Sequence, residues 1–209
     1  MTLSTLIIAR HGNTFAPGDT PRRIGARTDL TLVESGHEQA RKLGYYIRQH
    51  NLVPDRVLTS ELQRTRQTGE IASIEFGINV TVQGSSLFNE IDYGPDENKT
   101  EAEVIERIGQ NTLKAWDENG FMPPGWSPAP EKIIRMWQDF GESIHNKLGG
   151  STTMVVTSNG IARFALHLSG NWQRAQSEHG LKLATGALGI LTRRPDDLHW
   201  NVVGWNIRP

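Results

Sequence analysis

Thr5-Leu6-Ile7-Ile8-Ala9 forms a short continuous apolar run that stops abruptly at Arg10-His11-Gly12. Such a run, without polar alternation, reads as a strand buried on both faces. A strand of that kind needs helices above and below it, which points to an α/β fold with a mostly parallel sheet. The polar residues that follow at once are then placed at the carboxyl end of the strand, where ligands bind in open α/β sheets.

The rest of the chain alternates accordingly. A loop rich in Pro, Gly and Arg covers 12–30. Ser35-Gly36-His37-Glu38 has capping-box spacing, and Ala40, Leu43 and Ile47 recur on one helical face behind it. Asp55-Arg56-Val57-Leu58-Thr59 reads as a second strand, Ser60-Glu61-Leu62-Gln63 as a capping box opening a helix to about Ala72, and Val80-Thr81-Val82 as a third strand. Residues 101–118 read as helical, Gly120 to Pro130 as a loop, and 131–148 as a helix carrying Ile133, Trp137, Phe140, Ile144 and Leu148. Thr153 to Thr157 is a fourth strand, and Ser158-Asn159-Gly160 leads into a helix with Ile161, Phe164, Ala165 and Leu168 on one face. Ala187 to Thr192 and Trp200 to Trp205 read as the last strands. The 209 residues are expected to make one domain, with a helical cap inserted at about 100–150.

The formal net charge is -1, which is not the footprint of a nucleic-acid binder. There are no cysteines, so thiolate nucleophiles and thiolate metal sites are excluded. The N-terminus carries no basic stretch before its apolar run, and no apolar segment reaches the roughly 18 residues of a membrane span. A soluble, cytoplasmic location is the expectation.

Three strand ends carry polar groups: Arg10, His11 and Asn13 at the first, Ser60 and Arg64 at the second, Asn159 and Gly160 at the fourth. Each has an ordinary structural reading when taken singly; Asn159, for example, is a natural N-cap. Two arginines and an imidazole converging with helix N-termini favour an anion, phosphate above all.

Arg10-His11-Gly12 after a first strand, and Ser60-Glu61-Leu62-Gln63-Arg64-Thr65-Arg66-Gln67-Thr68 after a second, resemble the histidine phosphatase superfamily, also called the phosphoglycerate mutase-like family. Leu87 to Glu90 with Gly94 resembles the segment that holds that family's proton donor. The resemblance spans residues 5 to about 100 and 153 to about 206. It implies a phosphohistidine on His11, with Arg10 and Arg64 on the phosphoryl oxygens and Glu90 moving a proton to and from the leaving oxygen. Asn13, Arg27, Ser60, Asn159 and Gly160 are the implied substrate contacts. No cofactor and no metal are expected. The expected partner is a small phosphorylated substrate, with no nucleic acid and no membrane; a homodimer is compatible with the sequence, which does not fix the oligomeric state.

The chain departs from the family in two places. Asn159 stands where a second histidine is usual, and an amide cannot carry its positive charge. His179, placed in a loop before the last strands, is the nearest candidate to replace it. The loop from Thr14 to Thr28 also differs, with Arg27 ranked above Arg22 as a contact to a second anionic group of the substrate. Within the expected cap, Trp126 is ranked as the aromatic residue closest to substrate. The resulting expectation is a metal-independent phosphatase of a small metabolite. The alternatives are a mutase-like phosphotransferase, or a catalytically impaired phosphate-binding pseudoenzyme.

Overall fold

The computed structural model describes residues 3–209. Its first strand, β1 (Ser4–Arg10), is buried along both faces. Leu6 and Ile8 enter one apolar layer with Phe88, Trp137 and Val155. Ile7 and Ala9 enter another with Leu43, Ile47, Ala72 and Met154. Side chains alternate across a strand, so one uninterrupted apolar run supplies two cores at once.

After β1 the chain runs through α1 (Glu34–Gln49), β2 (Arg56–Thr59), α2 (Gln63–Ile74) and β3 (Val82–Gly84). Then come α3 (Glu101–Ile108), α4 (Gln110–Asn119), α5 (Pro130–Lys147), β4 (Thr152–Thr157), α6 (Asn159–Ala162), a 3-10 segment (Arg163–Ser169), α7 (Trp172–His179), β5 (Leu188–Arg193) and β6 (Asn201–Ile207). The six strands lie in the order β3-β2-β4-β1-β5-β6. Pairings from β3 to β1 are parallel, and β5 and β6 are antiparallel additions at one edge. Helices cover both faces: α1 and α2 on one side, α3 to α5 with the 3-10 segment on the other. No helix among the described residues is long and apolar enough to cross a membrane.

Several expectations need correction. Neither serine proposed as a helix cap is one. α1 opens after Val33 and α2 after Leu62, both without a capping side chain. The Ser35 hydroxyl instead accepts from Asn13 Nδ2, and Ser60 Oγ bonds Thr65 Oγ1 at 2.6 Å. The capping box is at Thr100, which bonds Glu103 reciprocally and starts α3. Residues 101–118 are not one helix, because Gly109 takes φ +80° between α3 and α4. β3 begins at Val82, two residues later than expected. The helix after Asn159 lasts four residues and tightens into the 3-10 segment. Within the stretch expected as a cap, α5 buries Ile133, Trp137 and Ile144 against the sheet layer. Only α3 and α4 border the cavity described next.

Candidate active site

The carboxyl ends of β1 and β4 lie side by side, with Arg10 paired to Thr157. The His11 amide continues that ladder by donating to the Thr157 carbonyl. Gly12 follows where the chain passes against α1. A Cβ there would lie 2.4 Å from the Gly36 carbonyl oxygen, so only glycine allows the approach.

A cavity of about 220 Å³ opens over these strand ends. Arg10, His11, Glu90, Asn159 and Arg163 line it, together with Arg22, Arg23, Tyr93, Trp116, Asp117 and Lys182. A larger groove of about 730 Å³ is lined by Leu87, Met136, Phe140 and polar side chains of α5, with no histidine among them.

His11 is 3% exposed. Its Nδ1 lies 2.7 Å from the Gly12 carbonyl oxygen. A carbonyl can only accept, so Nδ1 carries the proton and Nε2 keeps its lone pair. Burial, and then the charges of Arg64 and Arg10, hold the imidazole pKa well below its usual 6.5. The ring is therefore neutral, with a free nucleophilic nitrogen, at physiological pH.

Arg10 donates through Nη1 to the Leu183 carbonyl at 2.8 Å. Arg64 is fully buried and donates to the carbonyls of Thr28 and Gly25 at 2.8 and 3.1 Å. The loop that supplies those carbonyls is fastened by Glu97, which accepts from the Gly25 and Arg27 amides and the Thr28 hydroxyl. Among the described residues, Nε of both Arg10 and Arg64 is buried without a partner. Burial lowers the pKa of both guanidiniums.

Glu90 follows the short 3-10 turn Ser86–Phe88, where the Phe88 carbonyl accepts from the Thr157 hydroxyl at 2.7 Å. Its Oε1 accepts from the Ile91 amide, and its Oε2 from the Tyr93 hydroxyl and the Gly160 amide.

The remaining sequence candidates divide. Asn159 lines the cavity, but its Oδ1 already accepts from the Leu183 amide at 2.8 Å. Gly160 acts on Glu90 through its backbone. Asn13 is bonded to Gln39, Ser35 and Thr185, and Ser60 is buried against Thr65; neither lines the cavity. Arg27 lies outside, paired with Asp92 and the Gly94 carbonyl, whereas Arg22 and Arg23 line the cavity, so the ranking of these arginines reverses. Trp126 is buried beneath Asp96 and Trp116 faces the cavity in its place. His179 ends α7 rather than sitting in a loop, and is not among the lining residues. Sequence reasoning missed Tyr93, Lys182 and Arg163. Arg163 did carry a signal: it is the one cation inside the apolar run 161–166.

A family model described as the histidine phosphatase superfamily (branch 1) matches residues 6–208. The chain belongs to the histidine phosphatase superfamily. A 2,3-bisphosphoglycerate-dependent phosphoglycerate mutase of Bartonella tribocorum is 25% identical over 194 residues, covering 92% of this chain and 93% of that one. A mutase of the same name from Tropheryma whipplei is 30% identical over 123 residues, so that match spans 58% of this chain and only 55% of the relative's length. Among solved structures, a mycobacterial glucosyl-3-phosphoglycerate phosphatase superposes with a TM-score of 0.78 at 17% identity, covering 98% and 99% of the two chains. The α-ribazole phosphatase of Shigella flexneri gives 0.71 at 18%, covering 98% and 96%. At these identities the structural neighbours of this histidine phosphatase family member establish its fold alone.

Proposed function

We propose that this histidine phosphatase superfamily member is a metal-independent phosphatase of a small phosphorylated metabolite, working through a phosphohistidine on His11. The observation that carries the reading is the His11–Gly12 hydrogen bond, which fixes the tautomer and leaves Nε2 free beside two buried guanidiniums. Nε2 attacks phosphorus as the ester P–O bond breaks, and the Glu90 carboxyl gives its proton to the departing oxygen. The Glu90 carboxylate then takes a proton from water. The water oxygen attacks phosphorus, the P–N bond breaks, and its electron pair returns to Nε2. Arg10 and Arg64 offset the charge that gathers on the phosphoryl oxygens, so the protein's own cations supply the positive field.

The names of the Bartonella and Tropheryma relatives support a second reading, a phosphotransferase that returns the phosphoryl group to another hydroxyl of the substrate. Both readings share the His11 step and differ in product. The test is phosphate release from p-nitrophenyl phosphate by the wild type and by His11→Ala. The variant is expected to lose at least about 10³-fold. Turnover insensitive to that substitution would remove His11 from its assigned role. Isomerised phosphoester in place of free phosphate, across a panel of substrates, would select the second reading. Vanadate binding without any turnover would leave only an anion-binding protein.

A further inference from the structure

The buried arginines of this protein fall into two groups. Arg193, 7% exposed, is paired with Glu142. Arg10, Arg64 and Arg163 have no carboxylate within salt-bridge distance among the described residues, although Arg64 and Arg163 are at most 1% exposed. Two of these three are the cations already assigned to the phosphoryl group. The third lines the same cavity with Arg10, His11 and Glu90.

The surroundings of Arg163 hold it in place and leave its charge uncompensated. Nη1 donates to the Trp116 carbonyl at the end of α4, and Nε to the Asn159 carbonyl at 3.3 Å. The guanidinium carbon lies 4.0 Å from the centre of the Trp116 ring. Nη2 makes no hydrogen bond among the described residues. An unpaired buried charge is costly, and an apolar side chain of the same size would avoid that cost. A guanidinium fixed by two carbonyls and a ring face, with one nitrogen unused at a cavity wall, is the arrangement an incoming anion would complete.

Among the residues that line the cavity, Arg163 adds a buried positive charge to that of Arg10, and a phosphoryl dianion would draw on both. Asp117 also lines the cavity near Arg163, but it is exposed and screened by solvent. We infer that Arg163 is a third cationic ligand of the phosphoryl group. This rests on the phosphate-binding reading of the cavity, though not on turnover.

The test is the affinity for inorganic phosphate and for vanadate, measured by calorimetry on the whole protein. Arg163→Met keeps the length and the packing on Trp116 and removes the charge. Phosphate affinity is expected to fall about 10- to 100-fold, as for loss of a charge-assisted hydrogen bond. Arg163→Lys keeps the charge and is expected to recover part of that loss. A purely structural role predicts a lower melting temperature with unchanged phosphate affinity in whatever fraction stays folded, and that result overturns the assignment. If Arg163→Met does not fold, Arg163→Lys decides: wild-type phosphate affinity together with a lowered melting temperature overturns the assignment, and weakened affinity at an unchanged melting temperature supports it. A wild-type protein that binds neither anion would instead overturn the phosphate-binding reading itself.

Discussion

The Tyr93 hydroxyl donates to Glu90 Oε2 at 3.2 Å, and the Gly160 amide donates to the same oxygen at 3.1 Å. Burial, and then the Glu90 charge, push the Tyr93 phenol well above its usual 10, so it stays a donor at physiological pH. Tyr93 thus aims the Glu90 carboxyl without sharing its chemistry. Tyr93→Phe is expected to lower kcat about tenfold, since one buried hydrogen bond to a charged group is lost, with KM changed little. Steady-state kinetics on an aryl phosphate separates the two constants. An equal change in KM alone would place Tyr93 in binding instead.

Gly160 offers a sharper test of the same carboxylate. A Cβ on residue 160 would lie 2.4 Å from Glu90 Oε1 and 3.0 Å from its Cδ. The obstacles are the ends of the Glu90 and Ile91 side chains and not backbone, so the fold can accept Gly160→Ala while the carboxylate cannot stay where it is. Misplacement of a reacting group by about 1 Å costs on the order of 10²-fold in rate. The expected outcome is a loss of that size in kcat with phosphate affinity and melting temperature near wild type. Wild-type kcat would mean that Glu90 does not need its observed position.

How much was legible in the sequence follows from which interactions are local. β1 was legible because both of its faces are buried, and the polar residues at its end follow from where the apolar run stops. The starts of α1 and α2 were misread because the Ser35 hydroxyl is spent on Asn13 and the Ser60 hydroxyl bonds the Thr65 side chain, so neither makes the reciprocal pair a capping box needs. Arg27 was ranked above Arg22, and Arg163 was missed, for a related reason. Whether an arginine meets a carboxylate is decided by residues 65 positions away, as Arg27 meets Asp92, or by a carbonyl 47 positions away, as Arg163 meets Trp116. No spacing rule reaches that far.

Asn159 is best understood through Leu183. Its Oδ1 accepts from the Leu183 amide, and the Leu183 carbonyl accepts from Arg10 Nη1. The amide side chain therefore braces the segment that orients Arg10, which argues against viewing it as a histidine that has lost its charge. Asn159→Ala leaves the Leu183 amide without that acceptor and is expected to weaken phosphate binding about tenfold. Asn159→His is expected to lower phosphatase activity for the same reason. Higher activity in Asn159→His would show that added charge outweighs the lost brace.

Acid should act on this protein in two separable ways. The His11 pKa lies well below 6.5, so kcat/KM should show no His11 limb at 6.5 and should fall only at lower pH, when the nucleophile is protonated. His167, stacked on Trp172 with ring centres 4.0 Å apart, has its pKa lowered by burial to about 4. For a histidine depressed in this way the unfolded chain takes up the proton first as pH falls. The stability that neutral His167 contributes is then complete above 6.5, declines as pH drops from 6.5 towards 4, and is lost below that. His167→Phe keeps an aromatic ring on Trp172 and removes the titrating group. Melting temperatures measured from pH 7.5 to 4 should decline less steeply for the variant than for the wild type, with the difference opening below pH 6.5. Parallel curves would show that His167 takes up its proton at the same pH in the folded and the unfolded chain, and that its burial does not oppose protonation.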